Sequence, residues 1–249
     1  KLVQCKPDGQ TCGCINLPTF TTLAAQSGAP FSINDIVPIA NHLTEAGVVA
    51  VKADSPYKTI EELVAAAKEK GNLKASTNGN KASNHTAAQL LAKSAGFKYK
   101  AIPYGGTADQ LLALRQGEVD FTCAKVADVA KLVKGDKPEL RVLAVFNTKR
   151  DPELPNVPTL GEKGLYPEWY GSARALVAPK GTKPEVIQYY VEAFKKTMQD
   201  PAVIEAHKKA GMALDFKDNK ELGDLIKAQD KFARDVVNDL YKYFLIICP

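Results

Sequence analysis

The feature that most constrains this chain is a strand, loop and helix start that occurs twice within residues 74–107. In each copy a short apolar run leads into a loop of small residues, Thr77–Ser83 in the first and Tyr104–Thr107 in the second. Strands that alternate with helices at this spacing predict right-handed βαβ units and a largely parallel sheet. Ligand sites of such sheets lie beyond the carboxyl ends of the strands, where we expect both loops.

The two helix starts predict an anion pocket. The first four N–H groups of a helix have no intrahelical acceptor, and this end carries a partial positive charge. Two such ends side by side suit a ligand with two negative groups, such as a dicarboxylate. The candidate ligand-binding residues in the two loops are Thr77, Gly79, Lys81, Ser83, Tyr104, Gly105, Gly106 and Thr107.

Structural roles explain several of these residues equally well. Ser83 suits the N-cap of a helix, and Thr107 forms a capping box with Gln110. Gly105 and Gly106 suit a tight turn. Asp120, which closes a Gly-x-Val-Asp stretch, could hold an ammonium group or a bridging water in the site, or could serve a turn.

The remaining pattern completes an α/β chain. An irregular segment with four prolines covers residues 150–167. Predicted strands cover residues 36–40, 47–52, 73–76, 99–104, 119–123, 140–146 and 173–178. Helices are predicted after Thr59, Ser83 and Thr107 and near Pro184, Pro201 and Asn219. A further helix is expected to follow the strand of residues 119–123 and to continue through Val133.

Composition argues against nucleic-acid and membrane-spanning classes. The net charge of +5 comes from lysines spread over helices, without a basic stripe interleaved with aromatic residues. No apolar run approaches the roughly 20 residues of a membrane span. The chain does not open with a signal peptide, so we expect a mature protein whose export signal has been removed or lies upstream.

Cysteines, histidines and catalytic motifs point to no metal, cofactor or reaction. The five cysteines, an odd number, are expected to be buried or incidental thiols, and they are Cys5, Cys12, Cys14, Cys123 and Cys248. His42, His85 and His207 are isolated in sequence, and His85 falls in a predicted first helical turn. The chain contains no nucleophile elbow, zinc-protease, phosphate-loop or dinucleotide motif.

Short motifs along nearly the whole chain resemble the solute receptors of tripartite tricarboxylate transporters, the Bug family. The most specific is Leu154-Pro155-x-Val157-Pro158-Thr159-Leu160-x-Glu162-x-Gly164. The others are Pro7-Asp8-Gly9-x-Thr11, Asp54-Ser55-Pro56-Tyr57-Lys58-Thr59, Pro103-Tyr104-x-Gly106, Gly117-x-Val119-Asp120 and Ala178-Pro179-x-Gly181-Thr182.

This resemblance implies a type II periplasmic-binding-protein fold with two α/β lobes, each with a mostly parallel sheet flanked by helices. One lobe would combine residues 1–50 and 174–249, and the other would be residues 51–173. By alignment with the family, Asn16 and Thr19 would lie in the loop that the first lobe contributes to the ligand site. The family's N-terminal strand, loop and helix are expected to be absent from this chain, which also has Lys81 where the family tends to have a glycine.

The resemblance also implies a function. The chain would be a monomeric, non-enzymatic periplasmic receptor that captures a small organic mono- or dicarboxylate and delivers it to a tripartite membrane permease, with no cofactor and no nucleic acid. Two alternatives use the same pocket. One is an enzyme with Asp120 as base and Lys81 as electrostatic stabiliser, and the other is a sensory module that passes the ligand state to a signalling protein.

Overall fold

The protein is described by a computed structural model that covers residues 1–237, 239 and 240. It consists of two compact units. One unit is the continuous stretch of residues 45–171, and the other combines residues 1–44 with the described residues from 172 onward. Within the described part of the chain, no helix has the length and apolar character needed to cross a membrane.

Eight strands and eight α-helices form the described framework. The strands are β1 (Gly13–Leu17), β2 (Ile36–Lys52), β3 (Lys74–Thr77), β4 (Lys100–Pro103), β5 (Phe121–Lys125), β6 (Leu140–Phe146), β7 (Gly171–Pro179) and β8 (Leu214–Lys217). The helices are α1 (Thr19–Ala24), α2 (Ile60–Lys70), α3 (Ser83–Ala95), α4 (Thr107–Gln116), α5 (Val126–Val129), α6 (Pro184–Met198), α7 (Pro201–Ala210) and α8 (Asn219–Phe232).

The sheet of residues 45–171 has the order β6, β2, β5, β3, β4. Strand β3 is parallel to both β4 and β5, which gives the expected βαβ units. The second half of β2 runs antiparallel to β5 and to β6. The α/β class is therefore confirmed, but a mostly parallel sheet was too broad a prediction, because the parallel core is limited to the three strands joined by α3 and α4.

The other unit contains antiparallel pairs. Strand β1 pairs with β7, which sets Asn16 opposite Arg174. The first half of β2 pairs with β8. Leu17, Val177 and Leu222 are buried together in its core. These pairings also depart from the mostly parallel arrangement that the resemblance implied.

The predicted break between strands 36–40 and 47–52 was wrong, since β2 is continuous. The polar residues between the two apolar runs suggested a loop. Asn41 is instead buried and its Nδ2 donates to the backbone oxygen of Asp215 at 2.7 Å and to the Thr44 hydroxyl at 3.1 Å. These bonds satisfy the amide protons of Asn41 inside the sheet, so β2 continues through this polar stretch without a loop.

Helix starts with proline and several strand bounds were predicted correctly. Pro184 and Pro201 occupy the first turns of α6 and α7, and α8 begins at Asn219. Strand β6 has the predicted bounds. Helix α5 ends at Val129, so the predicted continuation to Val133 was wrong.

Candidate functional site

The two loops lie side by side at the carboxyl edge of the β3–β4 pair. Thr77 is the last residue of β3 and pairs with Pro103, the last residue of β4. The N–H of Tyr104 donates to the carbonyl oxygen of Thr77 at 2.9 Å. The predicted placement of both loops at one edge of the sheet is therefore confirmed.

Helices α3 and α4 start without side-chain caps. Their N-cap residues are Ala82 and Gly106, and neither N-cap residue makes a side-chain hydrogen bond to its helix. Ser83 is already the first residue of α3, so its predicted capping role was wrong. Gln110 turns inward and donates from Nε2 to the carbonyl oxygen of Cys123 at 2.6 Å, so the predicted capping box at Thr107 was wrong too.

A buried lysine that the sequence reasoning missed lies at the start of α3. Lys125, the last residue of β5, is 3% exposed, and its Nζ donates to Ser83 Oγ at 3.2 Å and to Asn84 Oδ1. Burying an ammonium group costs several kcal/mol unless its charge is compensated. A cation at a helix start also adds to the partial positive charge there. Lys125 therefore places a basic group beside the start of α3.

A network of buried amides and hydroxyls holds the two helix starts to the strands. Asn84 Nδ2 donates to Gln110 Oε1 at 2.9 Å, which links α3 to α4. Thr122 Oγ1 donates to the carbonyl oxygen of Ser76 at 2.9 Å, which links β5 to β3. Such bonds between buried groups fix side-chain positions. Their signal in the sequence was the run of polar residues at 83–86 in an otherwise apolar helix.

Two buried oxygens in the first loop have no partner. Thr77 is fully buried, and neither its Oγ1 nor Asn78 Oδ1 has a hydrogen-bond partner within the described residues. Leaving a buried polar group unsatisfied costs about 1–3 kcal/mol. Such a cost is commonly explained by a ligand or water that supplies the partner.

The rest of the first loop has an unusual backbone. Gly79 has a φ of 118°, and Lys81 has a φ of 60°, a left-handed conformation that non-glycine residues seldom adopt. The N–H of Lys81 donates to Nδ1 of His85 at 3.1 Å. Burial lowers the pKa of His85 to about 4, so its ring is neutral at neutral pH and can accept this bond. His85 lies in the first turn of α3, as predicted.

The second loop is open over its glycines. Gly106 has an extended backbone, with a φ of 170°, and a Cβ there would meet no atom within 4 Å. A Cβ on Gly105 would lie 3.4 Å from Asp109 Oδ2, and Thr107 is partly exposed as the first residue of α4. Tyr104 donates its hydroxyl to Glu118 Oε2 at 3.0 Å. Burial and this bond raise the pKa of Tyr104.

Asp120 lies at the opposite edge of the sheet. Its Oδ2 accepts the N–H of Lys74 at 2.7 Å, and its own N–H donates to the Lys74 oxygen at 2.9 Å. Lys74 begins β3, whereas the loops follow Thr77, about 10 Å further along the strand. The structure therefore does not bring Asp120 together with Lys81, the pair that the enzyme alternative required.

Asn16 and Thr19 belong to the other unit. Asn16 is exposed on β1, and Thr19 is the partly exposed first residue of α1.

The described cysteines are free thiols. Cys12 and Cys14 are exposed, Cys5 is partly buried, and burial raises the pKa of Cys123 to about 12. Cys248 lies outside the described residues. The sequence predicted thiols that are either buried or incidental. Of the four described thiols, only Cys123 is buried.

Comparison with known proteins gives a consistent result. The family model "Tripartite tricarboxylate transporter family receptor" matches residues 1–240. A UPF0065 protein of Cupriavidus necator is 30% identical over 94% of this chain and 71% of its own length. A UPF0065 protein of Pseudomonas sp. strain P51 is 31% identical over 80% of this chain. The chain covers 59% of that relative.

Solved structures share the fold. A TctC solute-binding protein from Polaromonas has a TM-score of 0.78 at 26% identity, covering 96% of this chain and 81% of that one. MatC from Rhodopseudomonas palustris, solved with bound malate, has a TM-score of 0.85 at 21% identity, covering 95% and 82%. The predicted periplasmic-binding-protein fold is thereby confirmed.

Proposed function

The chain belongs to the tripartite tricarboxylate transporter receptor family, and from this premise we propose that it captures a small organic carboxylate and presents it to a tripartite membrane permease. The family is one of solute-binding receptors rather than enzymes. We further propose that the protein works in the periplasm, where receptors of this family meet their solutes.

The observation that carries the proposal is the pair of uncapped helix starts with a buried lysine at one of them. The N-cap residues of α3 and α4 provide no side-chain acceptor for the first N–H groups, and the Lys125 ammonium group donates at the start of α3. A carboxylate at the Thr77–Ser83 and Tyr104–Thr107 loops accepts from several of these donors at once. Neutral solutes gain far less from the same positions.

The unpartnered oxygens favour a ligand that carries a donor as well. Asn78 Oδ1 is an acceptor, and Thr77 Oγ1 can donate or accept. A hydroxyl group on the ligand would satisfy Asn78, and a carboxylate oxygen would satisfy Thr77. Malate in MatC and adipate in a second R. palustris protein are bound by proteins of this fold at 21% and 19% identity, so they serve here only to choose test compounds.

A thermal melting screen tests the proposal. The panel holds C4 to C6 dicarboxylates, their hydroxylated forms, citrate, acidic amino acids and aromatic acids. A ligand at a hundredfold excess over its Kd stabilises the folded state by about 2.7 kcal/mol. We expect a clear rise in Tm with at least one carboxylate and unchanged ligand after incubation. No shift with any compound would contradict the function, and consumption of the ligand would favour catalysis.

A substitution at the second loop tests the site itself. Gly106→Val should lower carboxylate affinity at least tenfold, about 1.4 kcal/mol, because the side chain covers the N–H groups at the start of α4. The extended backbone and open space at this position predict a normal fold, which circular dichroism checks. Gly223→Ala, in the other unit, is the control, because this glycine also lies outside the left-handed φ region and a Cβ there would lie 3.8 Å from Pro38 Cγ, an ordinary contact distance. Retained affinity in the folded Gly106→Val protein would exclude this loop.

A further inference from the structure

Two histidines that are far apart in sequence face each other in the unit formed by the two ends of the chain. His42 lies on β2 and His207 on α7, and their Nε2 atoms are 2.8 Å apart. The ring planes are perpendicular, with centroids separated by 4.9 Å. Both rings are partly exposed, so small ions can reach them.

The protonation of His207 is set by its own helix. Its Nδ1 lies 2.8 Å from the carbonyl oxygen of Val203, one turn earlier in α7. A carbonyl oxygen only accepts, so Nδ1 carries the proton, and in the neutral ring Nε2 carries the lone pair. A histidine whose other nitrogen donates to a backbone carbonyl is the usual arrangement in metal sites, because this bond fixes both tautomer and ring orientation.

We propose that His42 and His207 together bind a divalent transition-metal ion, with Cu(II) preferred and Ni(II) next, and with water in the remaining positions. Metal–imidazole bonds are about 2.0–2.1 Å long, so two that meet at a right angle place their nitrogens about 2.9 Å apart, and two at a tetrahedral angle place them about 3.3 Å apart. The 2.8 Å separation of the metal-free pair is close to the right-angle value, so little change in spacing is needed to reach that arrangement. Right angles are typical of tetragonal Cu(II) and Ni(II), whereas Zn(II) prefers tetrahedra.

In the metal-free state the two nitrogens share a hydrogen bond. His42 Nε2–H donates to His207 Nε2, the only pairing that the tautomer of His207 allows when both rings are neutral. Metal binding replaces this bond after the proton of His42 moves to Nδ1 and the rings turn so that each Nε2 lone pair points about 45° away from the line between the two nitrogens, toward a common point. No oxidant or reductant is involved.

The surroundings hold His42 in position. Burial, with smaller Coulombic contributions from His207 and Arg174, lowers the pKa of His42, and metal binding uses the neutral ring. The Phe194 ring of α6 meets the His42 ring edge to face. Next to His42, Asn41 bonds to the backbone of Asp215 and holds β2 in place.

The same surroundings limit the affinity. The positive charge of Arg174 on β7 acts on His42 and opposes any added cation. Within residues 1–237, 239 and 240, no cluster of three or more metal-ligating side chains exists, so this part of the chain supplies the two histidines as ligands. The bound ion is therefore exchangeable, and only metals with a strong preference for imidazole are retained.

Titration of the metal-free protein with Cu(II) chloride tests the proposal by calorimetry and electron paramagnetic resonance. The expected result is one equivalent of Cu(II) with couplings to two imidazole nitrogens. His42→Gln and His207→Gln should each lower the affinity at least tenfold, and the double variant should abolish the two-nitrogen spectrum. Circular dichroism and melting without metal check that the variants fold.

Exposed thiols also bind copper, so the control is Cys12→Ser/Cys14→Ser, which should keep the wild-type stoichiometry and spectrum. Loss of binding in this cysteine variant would overturn the proposal, as would full binding in the double histidine variant. Repeating the titration with Ni(II) and Zn(II) tests the geometry. Tighter binding of Zn(II) than of Ni(II) would contradict the right-angle arrangement.

Discussion

Helices α2 and α8 begin very differently from α3 and α4. At α2 the Thr59 hydroxyl accepts the N–H of Glu62 at 3.2 Å, and at α8 the Asp218 carboxylate accepts two backbone N–H groups at 2.9 Å. Helices α3 and α4 begin at Ala82 and Gly106, whose side chains can accept nothing. The N-cap side chains of α2 and α8 thus satisfy N–H groups of their own helices, whereas those of α3 and α4 do not.

Acid should produce the largest effect, through the first turn of α3. Burial lowers the pKa of His85 from 6.5 to about 4, so the unfolded chain binds a proton more readily than the folded one between these values. The contribution of His85 is complete above pH 6.5 and falls by roughly 3 kcal/mol as the pH drops to 4. Urea unfolding at pH 7 and pH 4 measures the change.

Carboxylates also titrate in this range, so the test is a comparison with His85→Gln. Glutamine keeps an acceptor for the Lys81 N–H but does not titrate. We expect a smaller loss of stability in the variant between the two pH values. Equal losses in both proteins would mean that His85 charges as readily in the folded state as in the unfolded one.

Removing the buried charge should give the next largest effect. Lys125→Gln keeps a hydrogen-bond donor for Ser83 and Asn84 and removes the positive charge, so carboxylate affinity should fall about thirtyfold, or about 2 kcal/mol. Lys81→Ala, in the neighbouring loop, is the comparison and should cost less, because Lys81 is partly exposed and solvent screens its charge. Calorimetry with the best carboxylate from the melting screen measures both. A larger loss for Lys81→Ala would reverse the assignment of the main cation.

Adding an N-cap side chain to α3 should remove its difference from the capped helices α2 and α8. Ala82 has the extended backbone of an N-cap, with φ −72° and ψ 166°, so Ala82→Asp can accept N–H groups at the helix start. The new carboxylate occupies donors that the ligand needs, and we expect at least a tenfold loss of affinity, about 1.4 kcal/mol. Stability without ligand should rise by about 1 kcal/mol. Unchanged affinity would show that these donors do not face the ligand.

Removing the cap from α2 should have the smallest effect. It should lower stability and leave ligand affinity unchanged, whereas the added cap on α3 raises stability and lowers affinity. Thr59→Ala loses the bond to the Glu62 N–H and should lower the free energy of unfolding by about 1 kcal/mol. Ligand affinity should stay within twofold, since Thr59 has no place in the candidate site. Denaturant unfolding and calorimetry on the same samples compare the two effects. A large drop in affinity would mean that α2 contributes to binding.

Local patterns in the sequence predicted most of the fold. Prolines at 184 and 201 marked helix starts because the ring fits the first turn, and the alternation of β3, α3, β4 and α4 placed both loops at one edge. The prediction failed where distant residues decide. Ser83 was predicted to cap α3, but its hydroxyl accepts a hydrogen bond from Lys125, 42 residues later. Gln110 was predicted to complete a capping box, but its amide donates to the oxygen of Cys123, 13 residues later.

Asp120 and Lys125 lie at opposite ends of β5. Asp120 comes just before the strand and Lys125 is its last residue, so the direction of the strand decides which of them reaches the loops. A parallel pairing with β3 sends Lys125 to the carboxyl edge and Asp120 to the other one. The predicted βαβ units imply this direction, but the predicted strand of residues 119–123 included Asp120 and stopped before Lys125, so Lys125 was not placed at the site. The His42–His207 contact likewise depends on the fold, because 165 residues separate the two rings.

The first and last residues of the unit 45–171 lie next to each other. The Gly47 N–H donates to the Tyr170 oxygen at 2.8 Å, and a Cβ on Gly171 would lie 1.9 Å from the Glu45 oxygen. Because its first and last residues touch, this stretch can be joined end to end and opened elsewhere, as circular permutation requires. We expect a gene for this unit alone to express a circularly permuted protein that carries both loops. A short glycine linker would join the two original ends, and the new ends would lie in an exposed segment such as that at Gly135.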